Sequence, residues 1–225
     1  MTHTNDIDKY YAINSDATWD LANVCKSSGV KRFVYVSTRA IAEDGGPYSV
    51  SKLMGEKHVR ESGLDWVIIR PSEVYGIGGK EGMDMFLGKV GSLPFIPVVG
   101  NGEYKVAPVH VRDVVSAIVE AVERTNEKCK VYNLAGPENF TYNSFIDRVL
   151  ELKHLKKSKI HIPVFVFRAV TVISATVLKD RFLVKDQIPR LLSKKSADIS
   201  LARKDLGFDP ARLEDIIGGG NAENG

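Results

Sequence analysis

Cysteine is scarce in this chain of 225 residues, with Cys25 and Cys129 the only two. Their spacing suits neither a disulfide framework nor a thiolate metal site, so a reducing cytoplasm is the expected compartment. The five histidines are scattered and form no ligand set, so no metal is expected. Charge of one sign is also lacking: 31 basic residues against 28 acidic ones leave a net charge of +3. No Lys/Arg cluster interleaves with aromatics, which argues against a nucleic-acid partner. There is no internal repeat, and the polar N-terminus does not read as a signal peptide. Long apolar runs are limited to residues 162–178. Pro163 opens that run and Arg168 interrupts it, which favours a buried or groove-lining helix over a membrane span and leaves a peripheral membrane contact open. The ordinary content, 44% hydrophobic and 26% charged, is enough for a sizeable core in one large domain or two small ones.

The stretch 32–76 organises the rest. Phe33 to Val36 is an apolar, β-branched run that predicts a strand buried on both faces. Ser37 and Thr38 stand at its carboxyl end. After a polar gap, Pro47 suits the first turn of a helix predicted over about 48–61. Tyr48 and Lys52 project from one face of that helix. Gly63 ends it, and Trp66 to Ile69 predicts a second buried strand. Strand, helix and strand in this span form a right-handed parallel unit. Chemistry in open α/β sheets gathers at the carboxyl ends of the strands, where Thr38 and the Pro71-Ser72 turn lie.

Those residue types suggest proton transfer. A phenol with a reference pKa near 10 is a poor base at neutral pH. An ammonium one helical turn away favours the phenolate. The Thr38 hydroxyl can hydrogen-bond the same substrate oxygen. Together the three suit moving a proton on and off a carbinol while its hydride passes to a nicotinamide. With eight tyrosines, one Tyr-x-x-x-Lys has roughly even odds of arising by chance, as a plain solvated pair. Its place between a strand ending in Ser-Thr and a strand ending in Arg-Pro favours the chemical reading.

The ordered set Val-Lys-Arg-Phe-Val-Tyr-Val-Ser-Thr, Tyr-Ser-Val-Ser-Lys-Leu-Met-Gly-Glu and Ser-Gly-Leu-Asp-Trp-Val-Ile-Ile-Arg-Pro-Ser-Glu-Val-Tyr-Gly resembles the extended short-chain dehydrogenase/reductase superfamily of NAD(P)-dependent nucleotide-sugar epimerases and dehydratases. The likeness runs from about Tyr11 to Pro210. It implies an α/β Rossmann-type parallel sheet with a small carboxy-terminal substrate-binding subdomain. It places the catalytic trio on Thr38, Tyr48 and Lys52. Contacts to NAD or NADP fall on Ser37, Tyr48, Lys52, Pro71 and Ser72. A small-molecule substrate, of nucleotide-sugar class, is the expected partner, with Glu73 and Lys105 on its side of the site.

The resemblance also marks departures. Members of the superfamily begin with a strand and a Gly-x-x-Gly-x-x-Gly loop that cradles pyrophosphate at a helix N-terminus. That spacing is absent here, so the chain is expected to begin after the fourth strand of the fold, about two strand-helix-strand units in. The Phe33 strand would then be an exposed edge. A fragment, a partner supplying the lost half, or a rearranged remainder would each account for it, and self-association or homo-oligomerisation through that edge is expected. Glu73 replaces an Asn, and Val106, beside Lys105, replaces an Arg, both of which bind the substrate diphosphate in the epimerases. These changes resemble the atypical branch containing the Rossmann-fold accessory subunit of respiratory complex I. A non-catalytic scaffold or assembly subunit is therefore the alternative to an enzyme.

Elsewhere, a helix is predicted over 10–28, packing through Ala12, Trp19, Ala22 and Val24, with Asn14 matching a family Asn. Further helices are read over 83–90, 113–124 (apolar face Val114, Val115, Ile118 and Val122), 141–153, 186–192 and 199–206. Strands are read over 106–111, bearing His110, and 131–135. His110 and Asp113 read as structural. Residues 1–100 are expected to form a partial dinucleotide-binding domain. Residues 101–217 form a mixed remainder with the last Rossmann elements and the substrate subdomain, and 218–225 a disordered tail.

Overall fold

The computed structural model describes residues 4, 6–76, 78, 82–173 and 198–218. The expected helix over 186–192, the second half of the apolar run and the tail from 219 lie outside the described residues.

Three parallel strands form the central sheet: β1 (Arg32–Val36), β2 (Asp65–Pro71) and β7 (Lys130–Leu134), in the order β1-β2-β7. β2 is central, and Val67, Ile68 and Ile69 are fully buried, as their apolar run requires. β1 is less covered than its sequence predicts. Only Tyr35 is buried, and Val36 is 42% exposed. Among the described residues β1 pairs with β2 alone, so its other edge has no strand beside it.

The sheet separates two apolar clusters. On one face, helix α3 (Gly46–Glu61) covers Tyr35, Trp66 and Ile68 through Val59. On the other, α5 (Val111–Glu123) and α8 (Ser200–Leu206) cover Val67, Ile69, Tyr132 and Leu134. The buried face of α5 is Val114, Ala117 and Ala121, while Val115 and Val122 are each 52% exposed. The small alanines let α5 sit close on the sheet, so the larger valines turn outward. At its start α5 is capped by His110, whose Nδ1 accepts from the Arg112 amide at 3.3 Å.

The amino-terminal helix runs as α1 (Ile7–Tyr11), a π-helical turn (Ala12–Asp16) and α2 (Ala17–Ser27). Its buried residues are Tyr10, Asn14, Ser15, Thr18 and Ala22. Of the expected packing positions only Ala22 is buried. Trp19 and Val24 are 42% and 59% exposed, and Ala12 is exposed too. The π turn inserts a residue and shifts the face, and that face is held by polar contacts. Asn14 Nδ2 donates to Ser51 Oγ at 3.1 Å, and Ser15 Oγ lies 3.2 Å from His58 Nε2.

A second body is built from short pieces. The region read as one strand over 106–111 is two: β5 (Lys105–Val106) pairs antiparallel with β8 (Phe140–Thr141), and β6 (Val109–His110) pairs parallel with β3 (Val74–Tyr75). The Pro-rich segment becomes β4 (Ile96–Val99), parallel to β9 (Lys159–Ile162). Helices α4 (Gly82–Lys89), α6 (Tyr142–Leu152) and α9 (Leu213–Ile217) close a core around Phe145, Ile146, Val98 and Val106. Thr141 caps α6 through its Oγ1, which accepts from the Ser144 amide at 3.1 Å. The apolar run from 162 opens as α7 (Val164–Ile173). Among the described residues no helix is long and apolar enough to cross a membrane.

Candidate active site

The carboxyl ends of β1 and β2 lie side by side. Their ladder continues past the strands: the Ser37 amide donates to Ile69 O at 2.7 Å, Arg39 to Pro71 O at 2.9 Å, and Ser72 to Leu134 O at 2.8 Å. Ser37, Thr38 and Arg39 are thus held against the Pro71-Ser72 turn. α3 begins just beyond, with Pro47 in its first turn. Ser49 Oγ, on that turn, donates to the Ala40 carbonyl and ties the loop to the helix.

Tyr48 and Lys52 share one face of α3. Tyr48 is 6% exposed, and its ring meets Tyr10 edge-on with centroids 5.8 Å apart. Lys52 Nζ donates to the Val36 carbonyl at 3.0 Å and lies 4.9 Å from the centre of the Tyr35 ring. Burial pulls the Lys52 ammonium below its ordinary pKa, and the Glu56 carboxylate opposes that pull. Glu56, 1% exposed, is itself gripped by Arg70, with Nε 2.8 Å from Oε1 and Nη2 2.6 Å from Oε2. This fork fastens α3 to β2 and fixes the height of Lys52 over the strand ends. Thr38 Oγ1 accepts from the Ala40 amide at 3.1 Å, which leaves its proton free to donate.

Glu73 reaches across to the second body. Its Oε2 accepts from the Ala107 amide at 3.2 Å and from Arg39 Nη2 at 3.3 Å. Ser72 Oγ sits 2.6 Å from both Glu73 Oε2 and the Ala107 carbonyl, and its single proton serves one of them at a time. Val106 is buried beside this contact at 1% exposure. Lys105 is exposed on β5.

Ser37, Thr38, Pro71, Ser72 and Glu73 therefore lie where the sheet ends, Lys52 reaches Val36 beside them, and Tyr48 stands one helical turn before Lys52 with its ring against Tyr10. Sequence reasoning passed over Arg39. The signal was present in its type: a cation directly after Thr38, at the end of an apolar strand, needs a carboxylate partner if buried, and Glu73 after the facing strand supplies one. Among the described residues no group of His, Cys, Asp or Glu is arranged to hold a metal ion. A nicotinamide fits the gathered residues at one specific point: Ser37 Oγ is buried and has no hydrogen-bond partner, as expected of a group that meets a polar ligand.

The family model that matches, "NAD dependent epimerase/dehydratase family", covers residues 2–135. Among curated proteins, the mitochondrial NADH dehydrogenase [ubiquinone] 1 alpha subcomplex subunit 9 of Dictyostelium discoideum is 34% identical over 157 residues, covering 68% of this chain and 42% of that protein. The Mus musculus protein of the same name is 28% identical over 200 residues, covering 86% and 52%. The chain spans about half the length of these curated relatives. Among solved structures, UDP-glucuronic acid 4-epimerase from Bacillus cereus, in complex with UDP-glucuronic acid and NAD, aligns with a TM-score of 0.67 at 21% identity over 91% of this chain and 64% of that one. The fold is thus the Rossmann type that the strand order displays, and the chain belongs to the NAD-dependent epimerase/dehydratase family.

Proposed function

We propose that these residues form the catalytic half of an NAD(P)-dependent oxidoreductase site acting on a carbinol or carbonyl carbon, in reactions of epimerase or dehydratase type. The observation that carries this reading is the placement of Tyr48 and Lys52 on one face of α3, with Lys52 Nζ held 3.0 Å from the Val36 carbonyl beside Thr38. Ser37, Tyr48, Lys52, Pro71 and Ser72 would hold the nicotinamide end of the cofactor. A bound nicotinamide supplies the hydride acceptor and donor. The protein's own part is the proton. Thr38 Oγ1 orients the substrate oxygen, Tyr48 Oη takes or returns its proton, and the Lys52 ammonium lowers the cost of the phenolate. Within this frame a nucleotide sugar is the substrate class to start from. The free thiols of Cys25 and Cys129 are in keeping with a reducing compartment, the cytoplasm.

The test uses the full-length gene product with NAD or NADP and a panel of nucleotide sugars and free sugars, following nicotinamide absorbance. Tyr48→Phe is expected to lower turnover about 10²- to 10⁴-fold with cofactor affinity kept. An unchanged rate would remove the catalytic assignment.

A second reading, a non-catalytic subunit of a larger assembly, is favoured by the names of the Dictyostelium and mouse relatives. On that reading the full-length product migrates with a respiratory complex on native gels, and Tyr48→Phe changes nothing measurable.

A further inference from the structure

Among the described residues, the buried side-chain polar atoms with no hydrogen-bond partner are Ser37 Oγ, Arg39 Nε and Arg39 Nη1. All three fall within three consecutive residues at the end of β1. The Arg39 side chain is only 3% exposed, and among the described residues its ion pair, through Nη2, is with Glu73. Buried guanidinium donors are normally satisfied, because leaving them unpaired forfeits their hydration with nothing in return. Burial does pull the Arg39 pKa down, and Glu73 pushes it back up. Two idle donors on one such group, next to Thr38, mark a place where a ligand is received.

Charge decides what kind of ligand. Glu73 already neutralises Arg39, and Glu73 Oε2 also accepts from the Ala107 amide. A phosphate or diphosphate brought to Nε and Nη1 would add negative charge beside the Glu73 carboxylate in a site shielded from water. An uncharged hydroxyl or carbonyl oxygen accepts the same two hydrogen bonds without that penalty. We propose that Arg39 and Glu73 are the specificity-determining pair of this site: Arg39 Nε and Nη1 donate to uncharged oxygens of a polyhydroxylated substrate, and Glu73 turns diphosphates away. This rests on the reading of Thr38, Tyr48 and Lys52 as the reacting centre, and it narrows the substrate from nucleotide sugars to free polyols and sugars.

The test follows the Arg39 Nε–H resonance in the full-length gene product, assigned by its loss in Arg39→Lys. The probes are D-glucose, D-fructose and myo-inositol on one arm, and UDP and inorganic pyrophosphate on the other. The expected result is a saturable shift with at least one uncharged probe and none with the anions. In Glu73→Gln, affinity for UDP or pyrophosphate should rise at least tenfold, with binding of the uncharged probe changed less than about threefold, roughly 0.65 kcal/mol. A shift with the anions in the native protein, or no shift with any uncharged probe because only water meets these donors, overturns the proposal. Tyr48→Phe separates the two readings: if the Arg39 shift survives in a variant whose turnover is also unchanged, the catalytic assignment fails while the specificity pair stands.

Discussion

The Tyr35 hydroxyl donates a 3.2 Å hydrogen bond to the Asn14 carbonyl, and Gly55 is the residue that lets them meet. A Cβ at Gly55 would stand 2.3 Å from Asn14 O and 2.4 Å from Tyr35 Oη. Replacing a mid-helix glycine by alanine ordinarily stabilises by about 0.5–1 kcal/mol. Overpacking against a backbone oxygen costs about 1–3 kcal/mol, so the net sign should reverse. Gly55→Ala is expected to lower stability in urea unfolding. A stabilised variant would mean that α3 and the π turn are not in contact.

Tyr35 also carries a pH dependence. Burial pushes its pKa up to about 12, with the Thr18 hydrogen bond opposing. The folded value lies above the unfolded one near 10, so the contribution is intact below pH 10 and is lost as pH rises from about 10 to 12. Two pKa units correspond to at most about 3 kcal/mol. Burial raises Tyr142, also to about 12, and Tyr75, Tyr104 and Tyr132 further, so several rings share the alkaline loss. Tyr35→Phe should make the fall in stability between pH 10 and 12 shallower. An unchanged slope would show that Tyr35 is not shielded from water.

On the opposite face, Asp205 fastens α8 to β7. Its Oδ2 lies 2.6 Å from Lys130 Nζ and 3.2 Å from the Tyr132 hydroxyl. The hydrogen bond from Lys130 holds the Asp205 carboxyl below the usual carboxylate range, against the pull of burial. A depressed carboxylate pKa stabilises at neutral pH, and that stabilisation is lost as pH falls below about 4. Asp205→Asn is expected to lower the thermal midpoint by about 2–4 °C at pH 7. The difference should close on acidification, and a gap that persists at pH 2 would contradict the pairing.

The free side of β1 can be read amide by amide. The Ser37 amide donates to Ile69 on β2. By the two-residue period of a strand, the amides of Phe33 and Tyr35 also face β2, and those of Val34 and Val36 face the open side. In the isolated chain, hydrogen exchange should protect Phe33 and Tyr35 whatever the concentration. Val34 and Val36 should gain protection only as light scattering reports association. Protection of Val34 and Val36 in a dilute monomer would place another element on that edge.

The parallel unit around the site is legible because each of its signals is local. The apolar runs at 33–36 and 66–69, Pro47 and Gly63 point to the strands and helix found. Asn14 is visible as a residue, but not as the hinge of a buried polar face, because a π turn leaves no mark in hydrophobic period. The face of α5 is misread for a related reason: packing against the sheet selects Ala117 and Ala121 by size, while hydrophobicity alone favours Val115 and Val122. β9 is hidden because two of its four residues, Ile160 and His161, are exposed and give no clean alternation. Arg39 is hidden because its meaning depends on Glu73, which lies just past the end of the next strand.

The π turn at 12–16 has a consequence for which changes the gene can tolerate. It holds one residue more than an α-helix would, so the helix halves before and after it keep faces set by that extra residue. Substitutions at exposed Ala12, Ile13 or Asp16 leave this phase alone. Deletion of one residue from 12 to 16 lets the wide turn close to an ordinary α-helical one, with Ile7–Tyr11 keeping its face relative to α2. Tyr10 then stays on the Tyr48 ring, whereas the same deletion within α2 turns everything before it by about 100° and strips that cover from the phenol. At 12–16 the helix can therefore lose a residue that no regular turn of it could spare.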